Sequence, residues 1–222
     1  MIEFVVKLLA IMHSITFIST VHVEIGKCNS EELFKIIEGI SPEVVFLEAD
    51  DQTYTGYEQF LFSTYGVYHR KLEIAAIQKY GHTTSFEYVT VCEGGLSDAF
   101  HRKIKIACQN RELQNLIDNF KSLEAKHGFL FLNSQECIDI QEEMRTLETM
   151  ILNSDDLDKE VKDDIAAYEN SMIRNIYLYS RNNHFNTAVF MCGAAHRKAI
   201  IEKIEKSNTE EQLNLTWTVF GS

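Results

Sequence analysis

Three apolar, β-branched runs in this chain each stop at a residue able to bind a metal or move a proton. The stretch "SITFISTVH" delivers His22, "EVVFLEA" carries Glu48, and "TAVFMCGAAH" delivers His196. Two imidazoles and one carboxylate suit a divalent transition metal such as Zn, Mn, Co or Fe. The same trio also suits a general base with its orienting partner. Each residue alone has an ordinary alternative, since a histidine after a strand is commonly a hydrogen-bonded structural residue and a glutamate a buried ion-pair partner. Three of them at equivalent strand ends weaken that alternative without naming a reaction. His69, His82, His101, His127 and His184 follow no ligand spacing and are expected at the surface or in structural roles. A Cys192–His196 thiol and base pair is disfavoured, because Cys192 lies inside an apolar run.

These positions do chemistry together only if the strands end on one side of a sheet, where open α/β folds bind their ligands. Residues 14–20 read as the first strand, and Asn29 or Ser30 can cap a short helix with Leu33, Ile36 and Ile37 on one face. Pro42, the only proline, precedes the strand of Glu48; a helix follows over 69–80, ending at Gly81, and "SFEYVTVCE" is the third strand. From about 96 to 183 the pattern turns helical, with "GFLFL" the one short strand-like run. Apolar stripes through Cys137, Ile140, Met144, Leu147 and Ile151, and through Leu157, Val161, Ile165, Tyr168, Met172, Ile176 and Tyr179, predict two helices packed antiparallel on each other. "NSDD" between them supplies an N-cap and first-turn acids. Gly193 is expected to take a backbone conformation closed to other residues, with Ala194 and Ala195 leaving room beside a pocket. A helix with Ile200, Ile201 and Ile204 follows, and "LNLTWTVF" alternates as a half-exposed edge strand should. The expected fold is α/β over 1–222 as one domain: a central mixed, mostly parallel sheet with crossover helices. A largely helical insertion over 96–183 covers one end of it.

Composition narrows the function. With 222 residues, 45% of them apolar, the chain can bury a substantial core. A formal charge of −12 argues against nucleic acid as a partner. Five cysteines without C-x-x-C spacing read as free thiols in a reducing, cytoplasmic compartment. The apolar N-terminal stretch "IEFVVKLLAIMHSITFIST" is interrupted by Glu3, Lys7 and His13 and runs directly into the His22 segment, which argues against a signal peptide or membrane anchor. Met12 is an alternative start. The aromatic-rich segment 51–68 is a candidate lid or substrate wall, or simply packing beneath the helices.

"FISTVH", "ISPEVVFLEAD" and "AVFMCGAAHRKAI" together resemble the TraB, PrgY and Tiki family, which shares a superfamily with erythromycin-esterase-like and ChaN-like proteins. The resemblance spans nearly the whole chain. Two G-x-x-H motifs and a P-x-V-V-x-x-E segment mark that family, and His22, Glu48 and Gly193 to His196 match them. "KLEIAAIQKYG" resembles the family's glutamate and alanine-rich helix, which adds Glu73; "YENSMIRNI" resembles a further segment and adds Glu169, Met172 and Asn175. Ser19 stands where the family has glycine, and Tyr168 where it has arginine, with Arg174 almost two helical turns away. The resemblance implies a metal-dependent hydrolase acting on a peptide or amide bond of a peptide or small-molecule substrate. In it, His22, His196 and Glu48 are ligands or catalytic groups, Glu73 and Glu169 support them, and Tyr168, Arg174 and Asn175 meet the substrate. A non-catalytic binder of a metal complex or small ligand, as the ChaN-like relatives suggest, and a metal-independent esterase-like hydrolase are the alternatives.

Overall fold

The computed structural model describes residues 13–50, 68–95, 97–152, 155–210 and 215–221. Residues 1–12, most of the aromatic-rich segment 51–68, and Asn153 and Ser154 lie outside the described residues. No described helix is long and apolar enough to cross a membrane.

The strands are β1 (His13–Thr20), β2 (Val44–Leu47), β3 (Glu87–Thr90), β4 (Thr187–Gly193) and β5 (Leu215–Val219). They form one sheet in the order β3-β2-β4-β1-β5. Each pairing is parallel, so the sheet expected to be mostly parallel is parallel throughout the described residues. Central β2 is buried at every position and β4 at five of its seven, as strands covered on both faces must be. Edge strand β5 alternates half-buried Leu215, Trp217 and Val219 with exposed Thr216 and Thr218, as its sequence predicts.

Helices α1 (Ser30–Ile40) and α2 (Leu72–Gly81) follow β1 and β2. Asn29 caps α1 by accepting from the N–H groups of Glu31 and Glu32. Between β3 and β4 come α3 (Asp98–Ala107), α4 (Arg111–His127), α5 (Phe129–Leu132), α6 (Gln135–Leu152) and α7 (Asp155–Asn182). The run "GFLFL" is thus the short helix α5: Phe129, Phe131 and Leu132 are buried together and Leu130 alone is exposed, a helical pattern rather than the alternation of a strand. After β4 a single 3₁₀ turn (Ala194–His196) leads into α8 (Arg197–Glu210).

The helices α6 and α7 touch, with Thr149 donating to Asp158, but toward the sheet their apolar stripes divide between its two faces. Those of α1, α2, α4, α5 and α6 pack on one face of the sheet against Ile18, Val45, Leu47, Val189 and Met191. Those of α7 and α8 pack on the other, against Phe17, Phe46, Phe190 and Cys192. A buried parallel sheet needs cover on both faces, and that demand outweighs pairing the stripes of α6 and α7. The helical segment therefore clads both faces as well as reaching the sheet's end.

One consequence positions the site. The chain leaves β1 for α1 on one face and leaves the adjacent β4 for α8 on the opposite face, which opens a crevice between the two strand ends. Beside these strand ends lies Arg197, 2% exposed, whose Nη1 donates to Asn133 Oδ1 (2.8 Å) and Ser19 Oγ (3.2 Å). Its Nη2 donates to the carbonyls of Asn133 (2.7 Å) and Phe220 (3.0 Å). Asn133 also accepts from the Ser19 N–H, so one buried knot ties β1, the end of α5, α8 and the end of β5.

Candidate functional site

His22, Glu48 and His196 follow β1, β2 and β4, which are adjacent in the sheet. Glu48 is fixed from three sides. Its main-chain N–H donates to Met191 O (3.2 Å), and its Oε2 accepts from the Gly193 N–H (2.6 Å). Its Oε1 accepts from the Tyr168 hydroxyl (3.1 Å) and lies 3.7 Å from His196 Nε2. Gly193 has φ −55° and ψ 138°, which any residue can adopt, so the expected special backbone conformation is absent. Glycine matters there because of close approach: a Cβ would stand 3.3 Å from Glu48 Oε2 and 3.8 Å from the His196 ring. Ala195 is exposed beside a cavity, whereas Ala194 packs into the core.

Both histidines are held by a buried carboxylate at Nδ1. His196 Nδ1 is 2.9 Å from Glu169 Oε1 on α7, and Lys203 Nζ of α8 is 3.6 Å from Glu169 Oε2. His22 Nδ1 is 2.9 Å from Glu73 Oε1 at the start of α2, and the Thr20 hydroxyl donates to that same oxygen at 3.0 Å. Glu73 and Glu169 are each 4% exposed. With the Nδ1 proton given to a carboxylate, each ring presents Nε2 as its lone-pair nitrogen, the arrangement common to metal-ligating and general-base histidines.

His22 is half exposed, and its hydrogen bond with Glu73 raises its pKa above the ordinary 6.5, against the opposing effect of desolvation. A histidine whose folded pKa is raised contributes stability that is complete below its unfolded value and disappears as pH climbs through the folded one. The pair should therefore stabilise the fold most below about pH 6.5 and lose that contribution above it. An NMR titration should place His22 above 6.5, and Glu73→Gln should bring it back down; an unchanged midpoint would show that Glu73 is not its partner.

Burial, followed by the charge of Glu48, pushes the Tyr168 phenol far above its usual range, so it acts there as a neutral donor. Its ring lies 5.7 Å from that of His196. Burial likewise pushes the Cys92 thiol up to about 12 and Cys192 well up, which leaves neither as a ready nucleophile. Every described cysteine is free, and only Cys108 is exposed.

Of the residues suggested for substrate contact, Tyr168 reaches the site through Glu48. Arg174 instead pairs with Glu93, and Asn175 Nδ2 donates to Val91 O (3.1 Å) beyond β3. Met172 is buried in the core beneath α7. His82, His101, His127 and His184 are exposed, and half-buried His69 accepts from the Lys71 N–H. Sequence reasoning missed Thr20, Lys203 and the Arg197–Asn133 knot. Only the proximity of Arg197 to His196 in sequence hinted at the last.

Two cavities adjoin these groups. A small one is lined by His22, Glu48, Lys71 and Glu73. A larger one, about 380 Å³, is walled by the inserted helices α3, α6 and α7 and by the turn carrying His196; Lys103, Glu148, Ile165, Glu169 and Ala195 are among its lining. Among the described residues, no three His, Cys, Asp or Glu side chains are grouped as a ready metal cage. The donor chemistry nevertheless fits a divalent transition metal, with two imidazoles buttressed at Nδ1, a carboxylate near one of them, and a buried Glu73 Oε2 lacking any described partner. No family model, curated protein or solved structure matches this chain.

Proposed function

We propose that this chain is a metal-dependent hydrolase of the TraB and Tiki type, acting on a peptide or amide bond. The observation that carries the reading is Glu48, set at the strand ends 3.7 Å from His196 and in the lining of one small cavity with His22, each histidine having a buried carboxylate on Nδ1. His22 and His196 would hold the metal through Nε2, with Glu48 as third ligand or base. When bound, a divalent Zn, Mn, Co or Fe ion would polarise the scissile carbonyl and acidify a water. Glu73 and Glu169 keep the imidazoles in one tautomer and orientation. Tyr168 and the Gly193 N–H hold the Glu48 carboxylate so that one oxygen faces His196. The cavity beside His196 receives the substrate, with lysines and glutamates as well as apolar groups in its wall to meet a peptide-like chain. Free thiols throughout support a reducing, cytoplasmic setting.

A second reading is favoured by the exposure of His22. A half-exposed imidazole oriented by a buried carboxylate is a complete general-base dyad, able to activate water for ester or amide cleavage without a metal. Turnover of fluorogenic amide and ester panels, with and without chelator, separates the readings. Amide cleavage should vanish with chelator, return with one of the four metals, and fall about 10²–10⁴-fold in Glu48→Gln. Chelator-resistant turnover would favour the dyad. Bound metal with no turnover on either panel would make the chain a binding protein of the ChaN-like kind.

A further inference from the structure

The cavity beside His196 has a wall whose charges are matched from within the protein. Four lysine or arginine side chains and four glutamates are in its lining, which leaves no net formal charge. Buried Lys103 pairs with Glu148 at 3.1 Å, Lys198 pairs with Glu142 at 2.7 Å, and Arg145 reaches both Glu142 and the Ala195 carbonyl. Glu169 is engaged by His196, and Lys162 by Asp158. A charged ligand group would have to break such a pair and strand one of its members, whereas an apolar group displaces water alone.

The apolar part of the wall is different. Phe100 and Ile104 stand four residues apart on one face of α3, Ile165 lies on α7, and all three line the cavity. None of the three is in either core that covers the sheet, and Ile104 is exposed although it is a large aliphatic residue. Ile165 belongs to the apolar stripe of α7, so that stripe turns from the sheet to the cavity there. Across from these side chains, Ala195 and Ala199 leave the space open. At about 380 Å³ it falls in the range of pockets that hold ligands on mostly apolar walls with a few placed polar groups. His196 and Glu169 line the same cavity, so a group seated in it lies beside the candidate catalytic imidazole.

We propose that this cavity is a specificity pocket for one bulky, uncharged apolar side chain of a peptide-like ligand, leucine or phenylalanine in kind, held by Phe100, Ile104 and Ile165. That the seated residue adjoins a bond to be cleaved rests on the hydrolase reading above; its binding does not. Binding is therefore measured first, on the full chain with no added metal. The N-acetyl amides of leucine, phenylalanine, alanine, lysine and glutamate are titrated in turn while the ¹³C-methyl resonance of Ile165 is followed by NMR. The leucine and phenylalanine amides should move it saturably and bind about tenfold or more tighter than the alanine amide. No saturable movement with either, or equally tight binding of the lysine or glutamate amide, would overturn the pocket. Ile104→Asp puts a charge at an exposed position, so it should fold normally, and Ala199→Leu fills the cavity from a half-buried one. Each should weaken the phenylalanine amide by about tenfold or more, and wild-type affinity in either folded variant would overturn the pocket. Fluorogenic peptide amides carrying the same five residues at the cleaved bond then give kcat/KM on metal-loaded protein, where leucine should exceed alanine by about tenfold or more. Turnover without that preference would overturn the pocket and leave the hydrolase reading standing. Selective binding with no turnover of any of the five would do the reverse.

Discussion

His196→Ala is expected to lower turnover by about 10²–10⁴-fold and to cost about 1–3 kcal/mol of stability. The stability loss follows from burial. His196 is 9% exposed and hydrogen-bonds Glu169 through Nδ1, so alanine leaves that buried carboxylate with Lys203 alone, 3.6 Å away. His22 provides the contrast, since it is half exposed and water screens its pair with Glu73. His22→Ala should therefore cost less than about 1 kcal/mol while reducing turnover as severely as His196→Ala. The double variant should be no slower than the worse single one, because groups that act as a unit are not additive. Steady-state kinetics beside urea melts read all three quantities. Full activity in a folded His22→Ala variant would remove β1 from the site.

The largest stability effect is expected at Arg197. Methionine there retains much of the aliphatic bulk but strips hydrogen bonds from the Asn133 side chain, the Ser19 hydroxyl, the buried Asn133 carbonyl and the half-buried Phe220 carbonyl. No described carboxylate pairs with the guanidinium, so its burial depends on those neutral acceptors; desolvation accordingly lowers its pKa. A loss of about 3–5 kcal/mol is expected from leaving such a network unsatisfied. Lysine should recover only part of it, since a single ammonium cannot reproduce the two-pronged geometry. Urea midpoints for Arg197→Met and Arg197→Lys measure this, and a shift under about 1 kcal/mol for methionine would mean that the knot adds little. Because Arg197 adjoins His196, the methionine variant should also lose activity before it loses fold.

How much of this was readable in advance depends on what kind of neighbour each residue needs. His22, Glu48 and His196 were legible because an apolar run long enough to be a buried strand makes the polar residue at its end conspicuous. Glu73 and Glu169 were visible only through the family resemblance. On a helix, an acidic residue looks solvent-facing until the element opposite it is known, and both of these are buried against histidines from distant strands. Lys203 and Arg197 were hidden for the same reason. The run "GFLFL" has strand-like composition, yet four residues beside a glycine with φ +60° close into a helical turn that buries three of them. The stripes of α6 and α7 were read correctly as amphipathic, but periodicity names a buried face without naming its partner. The sheet, with two faces to cover, took the first stripe on one and Tyr168, Met172, Ile176 and Tyr179 of the second on the other.

The central claim is that His22 and His196, on neighbouring strands, belong to one centre with Glu48. Calorimetric titration of tag-free protein with Zn, Mn, Co and Fe(II), repeated on His22→Ala, His196→Ala and Glu48→Gln, tests it most directly. One site per chain is predicted for at least one of these metals, weakened by more than about 100-fold in each histidine variant and clearly weakened in Glu48→Gln. No binding by the wild type, or wild-type affinity in either folded histidine variant, would contradict it.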